Sequence, residues 1–190
     1  MSSDHARTLK PGLTASMRIV ILYSSPCVDR LVSGVMGLAR FSEAHVALFL
    51  HNGERPFGRA QPALLEKILT AARSHAAAAG VCPEALNVRC IELHTYHGGG
   101  GLLEAGHYDK GSTLTVSMLL SPPGPPEHGG RFSTTSAAGE QTEHELEAGD
   151  AIVFCSEMVH NVSTLGADAQ RNSLVIELWT DNGNSVGRYS

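Results

Sequence analysis

The stretch Thr113-Leu114-Thr115-Val116-Ser117-Met118-Leu119-Leu120, closed by Ser121-Pro122-Pro123-Gly124-Pro125-Pro126, decides the fold class. Successive side chains of a strand point to opposite faces, so Thr115 and Ser117 go one way and Val116, Met118 and Leu120 the other. The proline run cannot lie inside a sheet and makes a loop. Working outward, seven more pieces of strand length occur between Ile91 and Trp179 or just past it: Ile91–Tyr96, Leu102–Tyr108, Arg131–Thr135, His144–Glu147, Ala151–Cys155, Val159–Thr164 and Ser173–Thr180. Gly, Pro, Ser and Asn separate them, and no helical pattern intervenes. So many short strands in succession predict an antiparallel sandwich or jelly roll rather than a parallel sheet.

The first half reads differently. Met17–Ser24 is a short apolar run of strand type, and Ala44–Leu50 is a second. Asp29–Arg40 carries Leu31, Val32, Val35, Met36 and Leu38 near helical spacing, with Asp29 as a candidate N-cap. Pro62–Ala79 is the clearest helix. Proline suits its first turn, Leu64, Leu65, Ile68, Leu69 and Ala72 form one stripe, and Gly80 stands where a helix stops. The class expected is mainly β with flanking helices (α+β). One domain is expected over 1–190, with an N-terminal α/β support region over 1–90, a strand-rich core over 91–180 and a soft tail from Asp181 to Ser190. The first half carries no motif and is expected only to pack against the sheet.

Composition narrows the function. A chain of 190 residues, 42% hydrophobic and 17% charged, is too apolar for a disordered segment and long enough to bury a core without a disulfide or structural metal. No run approaches the length of a membrane span, and the polar start lacks the apolar centre of a secretory signal, so a cytoplasmic location without membrane attachment is expected. A net charge of −5 argues against binding a nucleic-acid backbone. The four cysteines, Cys27, Cys82, Cys90 and Cys155, show no CxxC spacing and read as reduced thiols, the last three in the core. No pattern in the sequence specifies an oligomeric state.

The chemistry gathers in the strand-rich half as His107-Tyr108-Asp109, then His160, then Arg171. If the tripeptide lies on a strand, His107 and Asp109 share a face and can aim into one cavity. His160 follows 160 − 109 = 51 residues later, room for several strands to return beside them. Two imidazoles and one carboxylate on one face of a metal leave positions open, the facial triad of non-haem Fe(II) oxygenases. Arg171, 171 − 160 = 11 residues further on, shares a strand face with Ser173 and makes a fork suited to a carboxylate. A chance HxD is expected roughly 0.3 times in such a composition, so order and spacing carry more weight than the tripeptide. Two other readings compete: a hydrolytic or zinc-binding site using His94, His97 and His107, and a non-catalytic metal-binding jelly roll. His94 and His97 are three apart, which suits a helix better than the strand Ile91–Tyr96. The sequon Asn161-Val162-Ser163 and the run Gly98–Gly101 read as chance and as a flexible rim.

At these residues the chain resembles the prolyl-4-hydroxylase-like branch of the 2-oxoglutarate/Fe(II)-dependent dioxygenase superfamily. Tyr96-His97-Gly98-Gly99-Gly100 looks like the Tyr-x-x-Gly stretch ahead of HxD. Gly129-Gly130-Arg131-Phe132 and Gly149-Asp150-Ala151-Ile152-Val153-Phe154 look like two of its strand starts, and Arg171-Asn172-Ser173 like its Arg-x-Ser. The resemblance implies a double-stranded β-helix (jelly-roll or cupin-like) core with iron on His107, Asp109 and His160, and 2-oxoglutarate on Arg171, Ser173 and Tyr96. It implies O2 as oxidant, ascorbate as reductant, and a peptide (prolyl) or small-molecule substrate hydroxylated with release of succinate and CO2. Some relatives have Tyr where Leu119 falls, and the first half lies outside the resemblance.

Overall fold

The computed structural model describes residues 17–20, 38–51 and 56–181. The rest of the strand expected over Met17–Ser24, most of the helix expected over Asp29–Arg40, and the tail after Asp181 lie outside them. The strands are β1 (Met17–Val20), β2 (Leu38–Ser42), β3 (His45–Phe49), β4 (Asn87–Tyr96), β5 (Leu114–Leu119), β6 (Phe132–Thr135), β7 (Gln141–His144), β8 (Asp150–Cys155), β9 (Val159–Val162) and β10 (Arg171–Trp179). Helices α1 (Pro56–Ala60) and α2 (Pro62–Ala78) precede β4. Seven strands form one sheet in the order β1-β8-β5-β10-β4-β3-β2, and β7-β6-β9 form a second. The pairings within both sheets are antiparallel.

Alternation along the strands of the large sheet separates two interiors. On one face Val116 and Met118 of β5, Ile91 and Leu93 of β4, Leu174 and Ile176 of β10 and Val153 of β8 pack against α2. The helix presents Ile68, Ala72 and Ala76, one buried stripe at helical spacing. It stops at Gly80 (φ 74°), whose N–H donates to Ala77 O while that of Val81 donates to Ala76 O. These two bonds make a Schellman cap, which needs a left-handed residue at that position. On the opposite face Tyr96, Leu119, Ile152 and Phe154 meet Phe132 and Val162 of the small sheet. The space between the two sheets is therefore apolar toward one end and carries Thr115, Ser117 and Ser173 elsewhere, as the alternation of Thr113–Leu120 requires.

The structure corrects the sequence reading in five places. Leu102–Tyr108 is not a strand: only Leu102 pairs, with Val162, and a turn at Ala105-Gly106 follows (Gly106 φ 76°). The strand expected over His144–Glu147 is instead Gln141–His144, set by its register with β6. The end of the helix expected over Asp29–Arg40 is strand β2, captured by a tight hairpin to β3. The N-terminal half does more than pack, since it contributes β1, β2 and β3 to the large sheet. Cys82 is exposed, its thiol donating to Glu84 Oε2 at 3.4 Å, whereas Cys90 and Cys155 are buried.

The glycine run is also a tighter device than a flexible rim. Gly99 N–H donates to Leu165 O, Leu165 N–H to Gly100 O, and Leu102 N–H to Val162 O, so the run links the two sheets at the mouth of the space between them. A Cβ at Gly98 would run into the Ala167 carbonyl, and one at Gly100 into that of Ala44. Gly98→Ala is therefore expected to destabilise the protein by about 1–3 kcal/mol, the cost of forcing atoms into a packed site. Urea denaturation checks this; an unchanged midpoint would show that the crossing is loose.

Candidate metal centre

His107-Tyr108-Asp109 lies on an irregular segment after the Ala105-Gly106 turn, so the period-two argument does not explain why its two side chains converge. Backbone pairing does. His160 N–H donates to His107 O at 3.0 Å, and Asp109 N–H donates to Ser156 O at 2.8 Å. The segment is thus stitched to the chain on either side of Met158, just before and within β9, and the residues 51 positions apart are held by neighbouring main chain (160 − 109 = 51).

One ligand atom from each of His107, Asp109 and His160 lies within 4.8 Å of the other two. His107 Nε2 is 3.5 Å from Asp109 Oδ1, and His160 Nε2 is 3.6 Å from Oδ2. The other ring nitrogens are engaged outward: His160 Nδ1 meets Met158 O at 3.0 Å, and His107 Nδ1 meets Glu104 Oε2 at 3.3 Å. An Nδ1–H donated to an oxygen leaves the Nε2 lone pair for a metal, the usual outer-shell arrangement of ligating histidines. Donors about 2.1 Å from an octahedral ion stand about 3 Å apart, so a small contraction would seat one. The residues fit a divalent ion with mixed imidazole and carboxylate donors.

Sequence reasoning missed what holds the carboxylate. Thr115 Oγ1–H donates to Asp109 Oδ2 at 2.6 Å, and Ser156 Oγ lies 2.9 Å from the same hydroxyl. Thr115 was on the readable polar face of its strand; Ser156, in a turn, gave no signal. Phe154 (ring centroids 4.9 Å apart) and Phe132 (5.9 Å) pack on the His160 ring. Asn161 spends its amide on Leu102 O and Glu104 O, both at 3.0 Å, tying down the mouth segment.

The three residues open on a cavity of about 500 Å³ that Tyr96, Ser173, Ser117 and Thr115 also line. Arg171 borders a neighbouring cavity of about 180 Å³ with Leu119, Leu146 and the Pro122–Gly124 loop. It shares the inward face of β10 with Ser173, and two residues along a strand put it about 7 Å deeper. Its Nε–H donates to Gly130 O at 2.9 Å, while Nη1 is buried without a hydrogen-bond partner. Burial pulls the Arg171 guanidinium down to about 10, and the charge of Tyr96, its cross-strand neighbour, acts in the opposite sense. The group stays cationic at neutral pH, a buried charge with bonding capacity left over. Of the histidines in the zinc reading, His94 is buried on β4 while His97 is exposed. Among the described residues they form no cluster with His107; the other group of ligating type is Cys90, Glu92 and Glu177.

No protein-family model and no curated protein matches the sequence. Solved structures do match. A Pseudomonas putida prolyl-4-hydroxylase aligns over 86% of this chain and 91% of its own at 19% identity, with a TM-score of 0.60. A Trichoplax adhaerens prolyl hydroxylase, solved with a peptide fragment of the hypoxia inducible factor oxygen degradation domain, aligns over 88% and 84% at 16% identity and a TM-score of 0.63. The non-haem α-ketoglutarate-dependent epimerase SnoN of nogalamycin biosynthesis aligns over 89% and 78% at 14% identity and a TM-score of 0.59. These likenesses establish the fold: it is the double-stranded β-helix that such oxygenases share. A fold common to hydroxylases and an epimerase does not choose the reaction, which has to be argued from the site.

Thr115→Val keeps the volume and removes the hydroxyl that steadies Asp109. It is expected to weaken Fe(II) or Zn(II) binding about 10- to 100-fold with the fold preserved, as loss of an outer-shell partner does elsewhere. Competition titration with a metal chelator measures it; affinity equal to wild type would exclude a metal-supporting role for Thr115.

Proposed function

We propose that the chain is an Fe(II)- and 2-oxoglutarate-dependent dioxygenase that hydroxylates a substrate C–H bond. The observation that carries this reading is the pair of imidazole Nε2 atoms 3.5 and 3.6 Å from opposite oxygens of one buried carboxylate, with both Nδ1 atoms turned outward. His107, Asp109 and His160 hold the metal, and the single domain works as one catalytic unit whose core is 91–180 and whose support region is 1–90. The iron, with 2-oxoglutarate and O2, supplies the oxidising equivalents for hydroxylation, succinate and CO2 being the co-products.

The chain's own residues do the rest. Asp109 gives the centre one negative charge, so that an Fe(II) site keeps a net positive charge toward a dianionic co-substrate. Arg171 takes the far carboxylate, and its buried Nη1 gains the hydrogen bond it lacks. Tyr96 and Ser173 line the cavity on the way to it. Leu119, buried against the Arg171 cavity, brings no hydroxyl there, so more of the carboxylate's binding falls on the guanidinium. Phe132, Phe154 and Val162 exclude water from the reacting end. Peptidyl hydroxylation is the leading substrate class, supported by the fold likeness to prolyl hydroxylases, one of them with a peptide bound. A small molecule is the alternative, and ascorbate serves as the reductant that keeps iron ferrous.

Purified protein given Fe(II), 2-oxoglutarate, ascorbate and air is expected to form succinate, and more of it when a substrate from a peptide or metabolite pool is present. His160→Ala is expected to abolish that, and Arg171→Met to weaken 2-oxoglutarate binding roughly 10- to 100-fold, the loss of charge-assisted hydrogen bonds. Failure of intact, folded protein to bind 2-oxoglutarate in the presence of metal would overturn the reading.

A further inference from the structure

Four inward-facing side chains on β3 and β4 form a connected set beside the candidate centre. Glu92, His94 and Tyr96 occupy one face of β4, and His45 of β3 stands directly across from Tyr96 in the strand register. The His45 ring stacks on Tyr96 with centroids 4.1 Å apart and planes at 23°. His45 Nε2 meets His94 Nδ1 at 2.9 Å, and His94 Nε2 meets Glu92 Oε2 at 3.0 Å. The His94 ring is itself nearly parallel to Tyr96, at 13°. All four are buried, Glu92 completely at 0% exposure, and His45, His94 and Tyr96 line the cavity of the candidate centre.

His94 Nε2 and Glu92 Oε2 are in ion-pair range, but the contact lacks hydrogen-bond geometry. A hydrogen bond joins His45 Nε2 and His94 Nδ1 and steadies the plane of the His45 ring, the surface on which Tyr96 lies. Packing alone would be served as well or better by apolar residues of similar volume, because burying a carboxylate and two imidazoles carries a desolvation cost. We propose that His45, braced by His94, is a positioning residue that holds Tyr96 in the orientation in which it contacts 2-oxoglutarate. The inference rests on the reading of Tyr96 as a co-substrate residue.

The test is calorimetric titration of 2-oxoglutarate into the full chain loaded with Zn(II) in place of Fe(II), so that affinity is read without turnover. His45→Leu removes both the stack and the hydrogen bond. It is expected to weaken 2-oxoglutarate binding about 3- to 10-fold, the range of an aromatic pair, while leaving the bound Zn(II) at the wild-type level. His45→Phe restores the stack without the hydrogen bond to His94 and is expected to recover only part of the affinity, between His45→Leu and wild type. In a Tyr96→Leu background, His45→Leu is expected to cost nothing further, since coupled residues are non-additive. Should His45→Leu not fold, His45→Ala carries the same comparisons. Wild-type affinity in folded His45→Leu, or an undiminished effect in the Tyr96→Leu background, would overturn the proposal. Absence of 2-oxoglutarate binding by the wild-type protein would instead bring down the co-substrate reading, and this inference with it.

Discussion

The structure turns on one buried carboxylate. Asp109 is 2% exposed and lies between two imidazoles, with a threonine hydroxyl donating to it. A carboxylate in such a place costs several kcal/mol unless hydrogen bonds and positive charge compensate it. Thr115 supplies part of that compensation, and on the proposed reading a divalent cation held jointly with His107 and His160 would supply the remainder. Because the carboxylate, the two rings and the hydroxyl come from an irregular segment, β9 and β5, their meeting fixes how the two sheets face each other. The site is a joint of the fold as well as its chemistry.

The same economy recurs at the deep end of the space between the sheets. Arg171 is anchored by one bond to Gly130 O and keeps Nη1 in reserve, beside a cavity where Leu119, Leu146 and Leu165 alternate with polar Ser121, His144, Asp168 and Gln170. A guanidinium so placed favours an anion, which brings both hydrogen-bond acceptors and the opposite charge. Between the two ends stands Tyr96, in van der Waals reach of His45 and electrostatically coupled to Arg171. The helix-covered face of the large sheet has none of this polarity and serves as the rigid backing, with α2 sealing it through Ile68, Ala72 and Ala76.

Much of this was legible in the amino-acid order. The alternation of Thr113–Leu120 placed Thr115 and Ser117 on the cavity face, and the Pro62–Ala79 pattern defined α2 to within one residue. The order His107, Asp109, His160 marked three residues that the structure brings together, although for a different reason from the one the pattern suggested. Convergence comes from main-chain bonds at His107 and Asp109, which no side-chain periodicity encodes. Leu102–Tyr108 misled because apolar Leu102 and Leu103 imitate a strand start, whereas Leu103 is 59% exposed and only Leu102 pairs. The string from Glu92 to His45 was invisible because its members are separated by 49 residues between His45 and His94 and acquire meaning only through the β3–β4 register.

The central claim is that one metal ion sits at the meeting of these three side chains. The most direct measurement is an anomalous difference map, collected at the iron edge, from crystals of the Fe(II)-loaded protein grown without oxygen. The account requires a single strong peak at bonding distance, about 2.0–2.2 Å, from His107 Nε2, His160 Nε2 and an Asp109 oxygen. A map with no peak there, or with iron on the buried group of Cys90, Glu92 and Glu177 instead, would contradict it.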